Sequence, residues 1–494
     1  DEPTPSPSDT GRVVIAGCDV LVRPGELRPG AGLVLDDGRV AAVGPLDPGE
    51  VSAGTVVLDG RGLLAMPGLV NAHTHSPENC LRGAGQRLPL EPWLLLMFEV
   101  GGLYDADAHR VCALAGAAEM LRTGTTAVLD HLWMTPPHAG AIDATMAAYR
   151  DAGIRAAVAP LMSDADTTQL LGEALGVDVS AAQIPVLPTD ELLDCLADAM
   201  RRWHGGDGGR LQLFAGPGGV QWASEQLLQG AVELARRHGS GFHVHLLETT
   251  VQDALCRRRF GCSGLQALDR LGILGPDVSL PHSVWIDADD IDTIAARGAV
   301  VVHNPAANTR LGSGRAPVPE LLEAGATVAL GADGSASSDN QVMWDEVKLA
   351  ALIHNDGLAD RWVDGAQALT MATTGGAAAL GHRADGLGTL VAGAPADVVL
   401  LDRRGSGLAG SVDLEGTLAL SEDGRSVRHV FVGGRHVVGD GVCLTIDEPA
   451  VLAELAELAA ERVARHRDPS PRLRTAMAQM RTLRAALARQ GSRA

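Results

Sequence analysis

The stretch PGLVNAHTHSPENC, residues 67–80, sets His73 and His75 one residue apart at the end of an apolar run. On an extended strand, residues i and i+2 project from the same face. A strand over residues 69–75 and its exit would therefore aim two imidazoles at one point, an arrangement suited to gripping a metal ion. Similar residues recur in the same local context. FHVHLLET carries His243, His245 and Glu248, SLPHSVW carries His282, and TVALGADGSASSDN carries Asp333. Imidazole nitrogens with one carboxylate suit a borderline divalent ion, zinc first and ferrous iron second. Taken singly, each residue has an ordinary explanation. An H-x-H pair occurs by chance, His245 alone reads as a partly buried histidine, and Asp333 beside Gly331 and Gly334 reads as a turn aspartate. His243 shares the face of His245 but sits deeper, and is read as structural. The joint arrangement, five such residues at the ends of four apolar runs, is harder to assign to chance.

Those runs are the elements that must do the positioning. Eight strands are predicted, at about 69–73, 125–131, 154–160, 211–216, 242–246, 278–282, 299–303 and 327–333. Amphipathic helical patterns such as DAHRVCALAGAAEMLRTG and SEQLLQGAVELARRHG lie between them, each closing on a glycine stop. Eight β-α units predict an α/β chain with a (β/α)8 TIM barrel, whose active site forms at the carboxyl ends of the strands. Both chain ends are β-rich, with turn signals at Asp37-Gly38 and Gly433-Gly434. Together they predict one small β-sandwich. The expected division is a disordered tail at 1–10, sandwich at 11–66, metal-dependent barrel at 67–384, sandwich again at 385–446, and C-terminal helices at 447–494. The Gly- and Asp-rich stretch 162–190 exceeds a normal connection and is expected to be a lid or insertion over the barrel mouth.

The chain has 494 residues, 46% of them hydrophobic, and a net charge of −21. That charge repels polyanions, so neither nucleic acid nor an anionic membrane is expected as a partner. Runs such as PWLLLMF are far too short to span a bilayer. No signal-peptide pattern is read at the start. Seven scattered cysteines with no C-x-x-C pair argue for a reducing compartment and a cytoplasmic location. The chain has a single lysine, Lys348. The terminal helices are free to pack on the barrel or on a second subunit, leaving a homo-oligomer open.

The stretches PGLVNAHTHSPENCLRG, GTTAVLDH, HVHLLET, PHSVWID, VVHNPAANTRLGSG and GADGSASSDN make the chain resemble the amidohydrolase superfamily. The resemblance is to its branch of cytosine-deaminase-like, S-adenosylhomocysteine-deaminase-like and triazine-hydrolase-like enzymes. It implies His73, His75, His245 and Asp333 as metal ligands, with Glu248 and His282 as acid/base and polarising residues and Asp333 also catalytic. Trp93 falls where relatives place a substrate-facing tryptophan. His131, Gln221 and Asn304, at the ends of strands 2, 4 and 7, are further substrate-binding candidates, each equally suited to bracing a loop, as are Asn79 and Arg82. Many family members hold two metals bridged by a carboxylated lysine on strand 4. Here strand 4 reads LQLFAGPGG and carries no lysine, so one divalent metal per chain is expected. Adenosine-type relatives commonly read Gly-Pro-His after that strand. This chain reads Gly216-Pro217-Gly218, which leaves the ring open among pyrimidine, pterin, purine and triazine.

The expected function is metal-dependent hydrolytic deamination of a small heterocyclic substrate. Activated hydroxide attacks an amidine-type ring carbon and ammonia leaves. Two alternatives stand beside it: the same site acting on another leaving group (chloride, an alkylamine or a cyclic amide nitrogen), and a non-catalytic barrel scaffold.

Overall fold

The structure, a computed structural model, describes residues 11–46, 55–101, 104–134, 138–183, 185–382, 384–405 and 407–491. The polar tail expected at 1–10 lies outside them. All eight expected strands form, in order. They are β1 (Leu69–Thr74), β2 (Thr125–Leu132), β3 (Arg155–Met162), β4 (Leu211–Leu213, resumed at Gly216–Pro217), β5 (Phe242–His243), β6 (Val278–Pro281), β7 (Val300–His303) and β8 (Thr327–Leu330). They pair in parallel as two four-stranded ladders, β4-β3-β2-β1 and β5-β6-β7-β8.

Parallel neighbours need crossovers, and capped helices supply them. The Glu225–His238 helix starts at Ser224, whose side chain accepts the Leu227 N–H. It stops at Gly239, where φ is 69° and only glycine sits easily. The ladders meet at two narrow seams. At one, Ala215 bridges to Phe242, and the His243 N–H donates to the Ala215 carbonyl at 2.8 Å. At the other, the Asp333 N–H donates to the His73 carbonyl at 2.8 Å. Val70, Leu129, Ala159, Phe214, Val302 and Ala329, drawn from both ladders, share one buried cluster.

The two chain ends meet in flanking sheets. The residues 11–66 alone supply a four-stranded sheet of Arg39–Val43, Gly32–Asp36, Val13–Ala16 and Val56–Asp59. A seven-stranded sheet mixes both ends, with Leu63–Pro67 antiparallel to Val398–Asp402. Ile15, Leu33 and Leu35 from the first sheet share a core with Val20, Ala65 and Phe431 from the second. Asp37-Gly38 and Gly433-Gly434 both turn with positive φ, as tight hairpins require.

Two helices, Glu448–Arg467 and Pro471–Gly491, end the described chain, parted by Asp468-Pro469-Ser470. They pack on the Leu90–Gly101 helix. Leu473 joins the cluster of Trp93 and Met97, and the Ser470 N–H donates to Glu99 Oε1 at 2.7 Å. No helix among the described residues is long and apolar enough to cross a membrane.

The parallel strands are tied to the flanking sheet by one buried ion pair. Arg155 on β3 donates through Nε and a terminal nitrogen to both oxygens of Asp397, each at 2.9 Å. Asp397 also accepts the Gly433 N–H at 2.8 Å. Deleting one partner of such a pair strands the other charge in a low-dielectric interior. Arg155→Ala is therefore expected to destabilise the fold by about 3–5 kcal/mol in chemical denaturation. A loss below about 1 kcal/mol, the range of surface pairs, would contradict this reading.

Candidate metal centre and active site

β1 ends at Thr74, and His75 follows at once. Its ladder to β2 shifts register between Asn71 and Thr74, a bulge of the kind that re-aims side chains near sites. His73 and His75 are both buried. Asp333 follows β8 at φ 61°, His282 follows β6 at φ 70°, and Leu247, just before Glu248, sits at φ 45°. Positive φ costs a branched-off side chain of order 1–3 kcal/mol each, and such positions cluster at functional sites. Gly331 lets the seam close, since a Cβ there would stand 2.8 Å from the His73 Cβ.

A buried polar network holds the β1 and β8 ends in register. Asn71 Oδ1 accepts the Ala332 N–H at 2.9 Å, and its Nδ2 donates to Gln341 Oε1 at 3.0 Å. Gln341 Nε2 in turn donates to the Asp333 carbonyl at 2.7 Å.

Three imidazoles, His73, His75 and His282, converge on Asp333 and a fourth, His245, meets His75, each with its Nδ1 engaged by protein. His75 Nδ1 donates to the His131 carbonyl at 2.6 Å, and His245 Nδ1 donates to the Gly218 carbonyl. His282 Nδ1 pairs with Asn308 Oδ1 at 2.9 Å. His73 Nδ1 pairs with His243 Nε2 at 2.8 Å, and His243 Nδ1 with Ser279 Oγ at 2.6 Å. This leaves the Nε2 atoms facing one another. His75 and His245 Nε2 are 3.3 Å apart, and Asp333 Oδ1 lies 3.5 Å from His75 Nε2 and 3.7 Å from His73 Nε2. His73 Nε2 is buried with no hydrogen-bond partner.

Donors on a tetrahedral zinc with bonds of about 2.0–2.1 Å stand about 3.3–3.4 Å apart, so this group fits a divalent ion. Engagement of the second ring nitrogen is the usual support of a metal-binding histidine. Burial, then the neighbouring imidazoles, pushes the pKa values of His73 and His245 well below the usual histidine value. Both rings are thereby held in the neutral form that ligates metal. His73, His75 and Asp333 form one group able to hold an ion, and His73, His131 and His245 form a second that overlaps it. Lys348 lies exposed on the Met343–Leu352 helix, away from both.

His75, His245, His282 and Asp333 line a cavity of about 240 Å³ together with Glu248 and Glu78. Glu248 Oε1 accepts Ser313 Oγ at 2.8 Å, while Oε2 lies 3.7 Å from His282 Nε2. Burial raises the Glu248 carboxyl to about 7. Opposite this polar floor the walls are apolar: Trp93, Met97 and Phe98 from the Leu90–Gly101 helix, with Trp133, Leu161 and Trp222. The 162–190 stretch contributes Ser163, Pro185, Val186 and Leu187, and also holds a helix, Thr168–Leu175.

Of the substrate candidates, Trp93 lines the cavity, and His131, Gln221 and Asn304 stand behind it. His131 Nε2 donates to the Gly216 carbonyl at 3.1 Å, and its ring stacks on His245 at 4.6 Å. Gln221 is buried, with its neighbour Trp222 taking the wall. Asn304 Nδ2 lies 3.3 Å from His282 Nδ1. Asn79 donates to the Cys112 carbonyl and Arg82 pairs with Glu119, so both brace loops. Glu78 was not anticipated. Its only mark in the sequence is an acid three residues after His75, at the exit of β1.

A sequence model of the Amidohydrolase family matches residues 64–437. The chain is 36% identical to a 5-methylthioadenosine/S-adenosylhomocysteine deaminase of Nitratidesulfovibrio vulgaris, over 86% of this chain and 91% of that one. It is 33% identical to a 5'-deoxyadenosine deaminase of Methanosarcina mazei, over 89% and 95%. Among solved structures, a mutant atrazine chlorohydrolase of Arthrobacter aurescens, complexed with zinc and atraton, superposes with a TM-score of 0.82. It is 28% identical, covering 90% of this chain and all of that one. With the family model spanning both ladders and the converging histidines, this chain belongs to the amidohydrolase family.

Proposed function

We propose that the chain is a metal-dependent hydrolytic deaminase of an amino-substituted N-heterocycle. The observation that carries this reading is the convergence of three imidazole Nε2 atoms and Asp333 at ligand-edge distances, on the floor of a cavity that also takes in Glu248. His73, His75, His245 and Asp333 would hold one divalent ion. Zinc is the first choice, supported by the zinc in the atrazine chlorohydrolase structure, and ferrous iron is the alternative. Such an ion lowers the pKa of a coordinated water from 15.7 to about 7.

The remaining steps belong to the chain. Asp333 takes a proton from the attacking water. Glu248, kept protonated by burial up to about 7, gives a proton to the ring nitrogen beside the attacked carbon. Ser313 holds Oε1, which leaves Oε2 for that transfer. His282, anchored through Nδ1 by Asn308, orients the water with Nε2. Ring carbon and water oxygen form a bond; Asp333 passes its proton to the exocyclic amine as the C–N bond breaks, the remaining hydroxyl proton returns to Glu248, and ammonia leaves a carbonyl behind.

The relatives named as adenosine-derivative deaminases favour a purine-type ring. The position of their usual histidine argues for a changed pocket here. A Cβ at Gly218 would lie 2.8 Å from Ser163 Oγ and 2.9 Å from Leu161 Cδ2, so other side chains fill that room. The likeness to an atrazine chlorohydrolase supports a second reading, a different leaving group at the same site.

The same proposal reads residues 67–384 as a closed (β/α)8 barrel and residues 11–66 with 385–446 as a β-sandwich. The two seams and the shared core of the flanking sheets support it. Seven free cysteines support a reducing, cytoplasmic location.

Elemental analysis is expected to find one divalent ion per chain, lost in His75→Ala. Two tightly bound ions, or an unchanged content in that variant, would refute the ligand assignment. Ammonia release across amino-purines, pyrimidines, pterins, triazines and adenosine derivatives tests the chemistry. Glu248→Gln should keep its metal and lose about 10²–10⁴-fold in turnover. Full activity in that variant would remove Glu248 from the mechanism.

A further inference from the structure

Among the described residues, Glu78 is the one acid on the cavity wall that the proposed reaction does not use. It lies in the Ser76–Cys80 turn directly after β1 and is only 4% exposed. Its Oε2 accepts the Ala336 N–H at 3.0 Å and Ser337 Oγ at 3.4 Å. The carboxylate lies flat against Gly334, where a Cβ would stand 1.9 Å from Oε2. One oxygen is thus clamped beside Asp333, while Oε1 receives no hydrogen bond from any described residue. A buried carboxylate on the wall of a ligand-sized cavity, clamped by one oxygen and with no described donor on the other, is built to accept a hydrogen bond from whatever enters.

The rest of the lining narrows that ligand. Among the described residues, the side chains that line the cavity include Glu78, Glu248 and Asp333 but no arginine or lysine. With Asp333 taken up by the metal, a ligand phosphate or carboxylate buried away from the ion would still face Glu78 and Glu248 with no arginine or lysine to pair it, which is costly. A cationic or N–H-rich group would instead make a charge-assisted bond to Oε1. Trp93, Phe98 and Trp133 supply aromatic surface for a flat ring or a cation.

We propose that Glu78 is a specificity-determining, substrate-binding residue. Its free oxygen accepts an N–H from an amidine-like edge, so the chain takes flat, uncharged or cationic amino-heterocycles with apolar substituents and rejects phosphorylated or carboxylated ones. The link from this edge to the reacting ring rests on the deaminase reading. The binding preference does not.

Calorimetry on the metal-loaded protein at pH 8, with benzamidine and its neutral isostere benzamide, separates the two. Benzamidine is expected to bind at least about tenfold more tightly than benzamide, the size of one charged hydrogen bond. In Glu78→Gln the gap should close to within about threefold through weaker benzamidine binding, with benzamide unmoved. Glu248→Gln should keep most of the gap. Equal binding of the two probes by the unmodified protein would overturn the proposal. So would a gap that survives in Glu78→Gln, or one that closes only in Glu248→Gln. Should Glu78→Gln fail to fold, Glu78→Asp serves in its place: withdrawing the carboxylate by one carbon should shrink the gap, and an undiminished gap overturns the proposal. A preference for benzamidine in a protein that releases no ammonia would keep Glu78 in this role and remove the deaminase reading.

Discussion

The whole site depends on gathering several imidazole nitrogens and one carboxylate, each within about 4 Å of a neighbour, on the buried floor of a cavity. Lone pairs placed that close repel unless a cation or protons lie between them, and burial works against protons on His73 and His245. Such a cluster cannot hold itself together, so the surrounding fold must hold it. Each ring is gripped at Nδ1 by a group from another element: the carbonyls of His131 and Gly218, the amide of Asn308, and the His243–Ser279 chain. The Asn71–Gln341 network fixes the β1 exit against the β8 exit. Without that lock, the Asp333 carboxylate would have no reason to stay beside the β1 histidines. The strained φ values at His282 and Asp333 are stable for the same reason, since the neighbouring contacts over-determine them.

Residues that end apolar runs are legible in a sequence because a strand displays its own boundary. His73, His75, His245, His282 and Asp333 all do this, and the structure brings them together as their spacing implies. The helix stops at Gly124 and Gly239 were legible for a similar local reason, glycine at positive φ. What could not be read are partners that meet only after folding. Ser313 reaches Glu248 across 65 residues, and Asn71 reaches Gln341 across 270. The bulge at Asn71–Thr74 leaves no mark in composition. Glu78 was hidden because an acid in a turn after a strand usually caps a helix or faces water. His131, Gln221 and Asn304 sit at strand exits as expected, but a strand exit is two-sided. One side meets the cavity and the other meets the next layer.

Two environments share one cavity. Its floor carries histidines and acids, while its walls carry Trp93, Met97 and Phe98 from the Leu90–Gly101 helix, Leu187 from the 162–190 stretch, and Trp133 and Trp222 from strand exits. Low-dielectric walls strengthen every electrostatic interaction on that floor. The raised Glu248 carboxyl follows from this burial. Apolar walls and a proton-holding acid near neutral pH are therefore one design feature with two consequences.

The cavity wall and the acid are also mechanically linked. Glu91 opens the helix that carries Trp93 and Phe98. Its Oε1 accepts Thr249 Oγ1 at 2.5 Å, and its other oxygen pairs with Arg484 of the last helix. Thr249 follows Glu248 directly and caps the Thr250–Phe260 helix. One buried carboxylate thus joins the C-terminal helix, the aromatic wall and the residue next to the acid. A shift of the C-terminal helix that carried Arg484 away would leave Glu91 a buried, half-paired charge, at a cost of several kcal/mol. The terminal helices therefore belong to the site's architecture, although none of their described side chains lines the cavity. The sequence left these Ala/Leu/Glu/Arg helices free to pack on the barrel or on a second subunit, and their packing on the Leu90–Gly101 helix of the same chain ties them to the helix that walls the pocket.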